Sequence, residues 1–339
     1  MKESPVYSFV RIRPTDSDWD LIENTYDSTV YKTRSWYGYL RLQGCEDFVV
    51  SVSKDGLLAG FFVGEKLRRG ITLVASPFEG LGTAHQGLSM LKETTAEERI
   101  SIYKHLADWL FSTRQASYLQ VEDWQIRDDE IPADADFFHE AHRVKYVDLT
   151  IPEEQLYSNM HQDCKYSIRK AIKNGIVVRE CANLDAFLDA FYAQLEDVFD
   201  KKGMTPTRDK ENVRKLLQAT WPEKTMLLEA ITSEGDIAAT AIVPIHASYA
   251  ATWQTASFRK FQNLRPNEIL RWEAMRRSKE RGAQIINFCG TQAYKDKFNP
   301  VLIHTSRLVF CKYRGLLLLK QAAKKSYYGI RALLAKFKK

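Results

Sequence analysis

"RKFQNLRPNEILRWEAMRRSKERGAQIINFCGTQAYKDKF" spans residues 259–298. It opens as a basic loop, runs through a helical middle, and ends in an apolar strand followed by a Tyr-Lys pair. Arg259, Lys260 and Arg265 supply the positive charge of the loop. Pro266 suits a first helical turn, because its missing N–H and fixed φ cost nothing there. The helix start adds unpaired backbone N–H groups and the positive end of a dipole. Together these features can cradle a pyrophosphate, though an ordinary basic loop before an ordinary helix reads the same way. The stretch has neither a Walker P-loop nor a G-x-G-x-x-G. Ile285, Ile286 and Phe288 form the buried strand, and Gly290 ends it where a turn or a close ligand approach fits. Tyr294 is a candidate proton donor and Lys295 a candidate holder of an oxyanion. The plain alternative is a packed Tyr and a solvated Lys.

Working back along the chain, the same plan is visible twice. The second half reads as a helix from Glu153 to Asn174, the strand "IVVREC", a helix capped by Asn183 and stopped at Gly203, and a helix in "RDKENVRKLLQATW". Three strands follow, "TMLLEAIT", "IAATAIVPIH" and "YAATWQTA", and then the helix of the opening stretch. In the first half, Asp55-Gly56 marks a hairpin, "GITLVA" a further strand, and Ser76–Leu88 a Gly-rich loop. A helix follows, with Thr95 as its cap and Ile100, Tyr103, Leu106, Ala107 and Leu110 at helical spacing. "SYLQVEDW" and "KYVDLTI" read as strands. Both halves run hairpin, strand, helix, strand. The expectation is two closely packed α/β domains, residues 1–150 and 151–313, with a basic helix over 314–339.

Composition bounds the rest. The 339 residues are 45% hydrophobic and 27% charged, as in a globular protein. No run approaches a membrane span, and the N-terminus carries no signal-peptide core. Five scattered cysteines without a C-x-x-C argue against a disulfide framework and for a reducing cytoplasm. His139 and His142 stand three apart with no third ligand at metal spacing, so no metal is expected. No G-x-S-x-G supports a serine nucleophile. The net charge is +6, but the segment 314–339 holds eight Lys or Arg and no acid. The remainder has 41 basic and 43 acidic residues, which weakens a broad nucleic-acid footprint on the body.

The combined motifs resemble the tandem-GNAT acyltransferases related to the Fem aminoacyl transferases, closest to the branch found with bacterial surface-polysaccharide genes. Arg169, Lys170, Ala171 and Gly175 match a helix ending. Pro266, Asn267 and Glu268 match a helix start. Gly290, Tyr294, Lys295 and Phe298 match a Gly followed by aromatic-Lys-x-x-aromatic. The Gly-rich loop resembles that of the first domain, and the likeness runs to about Arg314. The chain departs at Asn287-Phe288-Cys289, where an Asp and a Gly or Met are usual, and at Asn299, where Gly is common. It also lacks the helical-hairpin insertion associated with tRNA.

The resemblance implies two GNAT-like domains around a cleft and acyl transfer to an amine of a sugar or cell-envelope glycan precursor. The donor is acyl-CoA, or alternatively aminoacyl-tRNA, as a co-substrate rather than a bound cofactor. A non-catalytic module at a membrane remains the rival from another class. The donor would meet Arg259, Lys260, Arg265, Asn267, Glu268 and Gly290. Tyr294 would protonate the leaving thiol and Lys295 would stabilise the oxyanion. For the acceptor, Glu122 and Asp123 end a strand that reads either as lining the cleft and binding a sugar or amine or as a solvated strand end, and Trp253 reads as core, though an aromatic can stack on a sugar ring; Lys202 lies on a loop that approaches the acceptor in the resembling proteins. In the C-terminal segment Leu316, Leu319, Ala323, Tyr327, Ile330, Leu334 and Phe337 recur every three or four residues. That pattern fits a helix at the inner face of an anionic membrane, a helix docked on the body, or a basic arm for tRNA.

Overall fold

The computed structural model describes residues 5–200, 208–313 and 315. Lys202 and the C-terminal segment apart from Gly315 lie outside the described residues. The first half comprises β1 (Tyr7–Ile12), α1 (Asp16–Glu23), α2 (Arg34–Leu42), β2 (Glu46–Lys54), β3 (Leu57–Arg69), β4 (Ile71–Ser76), β5 (Gly87–Met90), α3 (Ala96–Ser112), β6 (Tyr118–Arg127) and β7 (Phe138–Asp148). Asp55 and Gly56 both have positive φ, 52° and 81°, as a two-residue hairpin turn between β2 and β3 requires. Thr95 caps α3 by accepting from the Glu98 N–H, and Ile102, Tyr103, Leu106 and Leu110 turn into the core.

The second half comprises α4 (Glu153–Asn159), α5 (Gln162–Lys173), β8 (Val177–Glu180), α6 (Leu184–Asp200), α7 (Lys210–Thr220), β9 (Thr225–Ile231), β10 (Ile237–His246), β11 (Tyr249–Ala251), β12 (Gln254–Ser257), α8 (Pro266–Glu280), β13 (Ile285–Asn287) and β14 (Val301–Cys311). The single helix expected over Glu153–Asn174 is broken at Met160 and His161. The break frees the His161 N–H to donate to the Lys297 carbonyl at 3.0 Å, which ties the helix pair to the segment after β13. The expected strand "YAATWQTA" is also two strands, with the chain parting at Thr252 and Trp253.

The fold is mixed α/β. Among the described residues all strands join one 14-stranded sheet in the order β1-β2-β3-β4-β6-β14-β7-β13-β11-β10-β9-β8, with β5 on β3 and β12 on β10. β14, which the sequence reading did not anticipate, leaves the second half and inserts between β6 and β7. The boundary near residue 150 thus follows chain order, while β14 belongs with the strands of the first half. One apolar cluster lies under α3, with Phe48, Phe62, Leu106 and Phe310. Another lies under α5 and α8, with Ile168, Met275 and Ile286. A third joins the halves through Tyr31, Trp36, Phe187, Leu217 and Trp253. That shared core holds the site in register.

Candidate active site

The site begins where two strands part. β11 pairs in parallel with β13 over Tyr249–Ala251 and Ile285–Asn287. β12 continues the chain but pairs with β10 instead. Beyond the last shared bond, from the Thr252 N–H to the Asn287 carbonyl at 2.8 Å, the strands leave a wedge. On its wedge side β12 therefore has no strand partner among the described residues, and its backbone groups there can receive an extended ligand, as a sheet edge does. A cleft of about 320 Å³ adjoins it, lined by Thr255, Ala256, Ser257, Asn267, Arg271 and Tyr294 among others. The N-terminus of α8 meets this cleft. Arg265, its N-cap, is left-handed (φ 64°) and gives no side-chain cap, so the first-turn N–H groups keep their donors for another partner. Asn267 Nδ2 donates to Ser257 Oγ at 3.0 Å and pins the helix start to β12. Glu268 is buried against Lys297.

The three basic loop residues are placed differently from one another. The Arg259 guanidinium faces Asp197 on α6, with Nη2 2.7 Å and Nε 2.9 Å from Oδ1. Bonds from Arg259 hold the Asp197 carboxyl below its usual range. In this structure the guanidinium expected at donor phosphates is paired with Asp197 and about half exposed. Lys260 Nζ stands 4.5 Å from the Phe261 ring centroid. Arg265 is exposed at the helix start.

Arg271 was not singled out from the sequence, yet it occupies the apex of the wedge. It is 6% exposed, and its Nη1 donates to Thr252 Oγ1 at 2.9 Å. Its Cζ lies 5.0, 5.7 and 5.8 Å from the ring centroids of Phe288, Tyr294 and Phe298. Burial lowers its pKa from the ordinary value. No carboxylate lies within ion-pair distance of it among the described residues, so the aromatic faces are its main compensation. The legible signal was a lone Arg between Leu270 and Trp272, both core residues.

Tyr294 lines the cleft and is half exposed. Lys295 is 3% exposed, so it is not the solvated lysine of the plain alternative. Its Nζ donates to the carbonyls of Phe288 (2.7 Å) and Cys289 (3.3 Å) and to Gln292 Oε1. Burial, with Arg271 and Lys145 nearby, pushes its pKa down to about 8. Lys145 on β7 clamps the same turn through the Thr291 carbonyl at 2.9 Å and Asp296 at 2.6 Å. The clamped turn holds Cys289 at φ 53° and Gly290 at φ 120°. Only glycine adopts the second conformation without strain. Burial raises the Cys289 thiol pKa, which disfavours the thiolate a nucleophile needs.

A second cavity, about 370 Å³, meets the same strand: Trp253 and Gln254 line it, while Thr255–Ser257 line the first. Cys289, Gly290, Glu122, His142, Arg208 and Arg307 complete its functional wall. Trp253 Nε1 donates to the Gly82 carbonyl at 2.7 Å, and Arg208 stands 5.2 Å over its ring. Glu122 is nearly buried, which raises its carboxyl pKa although His142 and Arg307 pull the other way. Arg307 was not singled out from the sequence, and His142 was weighed there only as a metal ligand. Glu122, Arg307 and Glu140 face one another across β6, β14 and β7, so only the insertion of β14 assembles the row.

Asp123 does not line this cavity. It is fully buried on the opposite course of β6, where it accepts from Arg99 Nη1 at 2.7 Å and Tyr103 Oη at 2.6 Å. The group closes a second wedge. In the first half β4 pairs with β6, whereas β5 turns to β3, as β11 and β12 do later. There, however, the Leu88 N–H donates to Tyr103 Oη at 2.8 Å and Lys32 Nζ donates to the Leu88 carbonyl at 2.6 Å. Arg99 and Lys32 share Asp27. Protein side chains already satisfy the β5 backbone at that point.

The acetyltransferase (GNAT) domain family matches residues 158–296, the segment that contains the open wedge. No curated protein matches the sequence. Solved structures match in fold across most of the chain. FemX has a TM-score of 0.72 at 12% identity, covering 91% of this chain and 99% of its own. L-PGS from Bacillus licheniformis has a TM-score of 0.51 at 13% identity, covering 90% and 94%. A tandem GNAT protein from the clavulanic acid biosynthesis pathway has a TM-score of 0.50 at 11% identity, covering 91% and 99%. Residues 158–296 thus match an acetyltransferase (GNAT) domain that contains the open wedge, and the chain as a whole shares the fold of these structures.

Proposed function

We propose that this protein transfers an acyl group from an acyl-CoA thioester to an amine of a sugar or cell-envelope glycan precursor. The observation that carries the reading is the open wedge between β12 and β13, flanked by one cavity at the α8 N-terminus and another lined by charged groups. The donor arm would extend along β12 and pair with its free backbone. The amine would wait in the second cavity and attack the thioester carbonyl directly. The C–S bond would then break, and Tyr294 would give its proton to the sulfur. Holding both substrates in one geometry supplies much of the rate, and no protein nucleophile is needed.

Because Tyr103 and Lys32 close the first wedge, acetyl-CoA should bind at one site per chain. Calorimetric titration reads this directly, and a stoichiometry of two would reject the closed wedge. The same titration with charged tRNA tests the Fem-type alternative. Tight binding of charged tRNA with no binding of any CoA thioester would replace the donor assigned here. Mass spectrometry of mixtures with aminosugar nucleotides identifies the acceptor.

The membrane expectation is carried on as part of this proposal. No helix among the described residues is long and apolar enough to cross a bilayer. The eight cations and apolar spacing of 314–339 support attachment to an anionic surface. Cutting after Tyr313 should abolish sedimentation with anionic vesicles and leave transfer to a soluble acceptor intact. Equal sedimentation of the truncated chain would exclude the segment as an anchor.

A further inference from the structure

An amine attacks a thioester only as the free base, so the reading above requires a place for the ammonium proton. We propose that His142, oriented by Glu122, is the general base that takes this proton in the second cavity. The proposal rests on the acyl-transfer reading and deepens it at the acceptor side.

The geometry is specific. His142 Nε2 stands 3.2 Å from Glu122 Oε1. A neutral imidazole donating from Nε2 to that carboxylate keeps its lone pair on Nδ1. The His142 side chain is 39% exposed, and it lines the cavity together with Trp253, Gln254, Cys289 and Gly290. An amine held there lies between the imidazole and the end of the wedge. Glu122 is itself fixed, because Arg307 Nη2 donates to its Oε2 at 2.8 Å. Arg307 is held in turn by Glu79, with Glu140 at 3.6 Å. The charged groups around the imidazole are therefore Glu122 from β6, Arg307 from β14, Glu140 from β7 and Glu79 from the preceding loop, with Arg208 on the same cavity wall. Glu122 is a positioning residue: it selects the tautomer and aims the ring.

The proton balance is complete. His142 removes one proton from the ammonium and releases it to water. The neutral nitrogen bonds to the carbonyl carbon and loses a second proton as the intermediate collapses. The sulfur leaves with the C–S electron pair and takes a proton from Tyr294, which that second proton restores.

A purely structural role for His142 would tie β6 to β7 and affect every acceptor alike. Two amines separate the roles below neutrality. Glucosamine is then mostly protonated, while hydroxylamine is largely the free base. With acetyl-CoA as donor, His142→Gln keeps a hydrogen bond to Glu122 and should lower transfer to glucosamine by about 10²-fold. Transfer to hydroxylamine should fall at least about tenfold less. Added imidazole should restore part of the glucosamine rate in His142→Ala, and His139→Gln should change neither rate. Equal losses on both amines, or no rescue by imidazole, would overturn the base while leaving acyl transfer standing. Failure of the wild type to acylate either amine would overturn acyl transfer and the base together.

Discussion

Replacing Arg99 by Met should destabilise the protein by about 3–5 kcal/mol, the scale for breaking a buried ion pair from one side. Arg99, Asp27, Asp123 and Lys32 are all fully buried. Removing the guanidinium leaves two carboxylates with one lysine between them, and neither can reach water. Urea denaturation followed by tryptophan fluorescence measures the change, and a shift below about 1 kcal/mol would show that the group is not an electrostatic keystone. The pH dependence has a definite sign. Burial alone would raise the Asp123 pKa, but Arg99 and Lys32 outweigh it and hold the value below the ordinary one. The stability that Asp123 contributes is thus present above its unfolded pKa of about 4, and it is lost as pH falls through the lower folded value. In Arg99→Met that depression is largely removed, so acid should unfold the variant at higher pH than the wild type.

The same group shows why one wedge is closed and the other open although the strand orders of the two halves agree. Local signals were legible where one residue decides a local conformation. Thr95 starts α3, Asp55-Gly56 turns the first hairpin, and Pro266 opens α8. The wedge was not legible, because nothing in "YAATWQTA" separates a continuous strand from one that parts at Thr252. The parting depends on a partner choice, β13 for one segment and β10 for the next. Asp123 shows the same limit. A charged strand end reads as solvated or as cleft-lining, and only the partners from α3 and from the segment before α2 make it a plug. The wall of the second cavity is further removed still. Glu122 and Arg307 are 185 residues apart, and they meet because β14 crosses back into the first half.

Lys295→Ala should lower turnover by about 10²-fold, with donor KM nearly unchanged. The resemblance implied a lysine that stabilises the oxyanion directly. The structure alters how the effect would arise. An ammonium has three donors, and here they go to the Phe288 and Cys289 carbonyls and to Gln292. In this arrangement Lys295 would act by positioning the turn that carries Cys289 and Gly290 to the end of the wedge. A misplacement of about 1 Å at that turn accounts for a loss of this size. The protonation state gives a readout that simple loss of stability would not. Burial first, and Arg271 second, bring the lysine to about 8, so it is a cation below that pH and loses one donor above it. Wild-type turnover should therefore decline as pH rises through about 8, and that decline should vanish in Lys295→Ala while the acid side of the profile stays. If donor KM rises and kcat is unchanged, the turn shapes donor binding and has no part in the chemical step. If both parameters match the wild type across the pH range, the clamp on Cys289 and Gly290 is held by Lys145 alone.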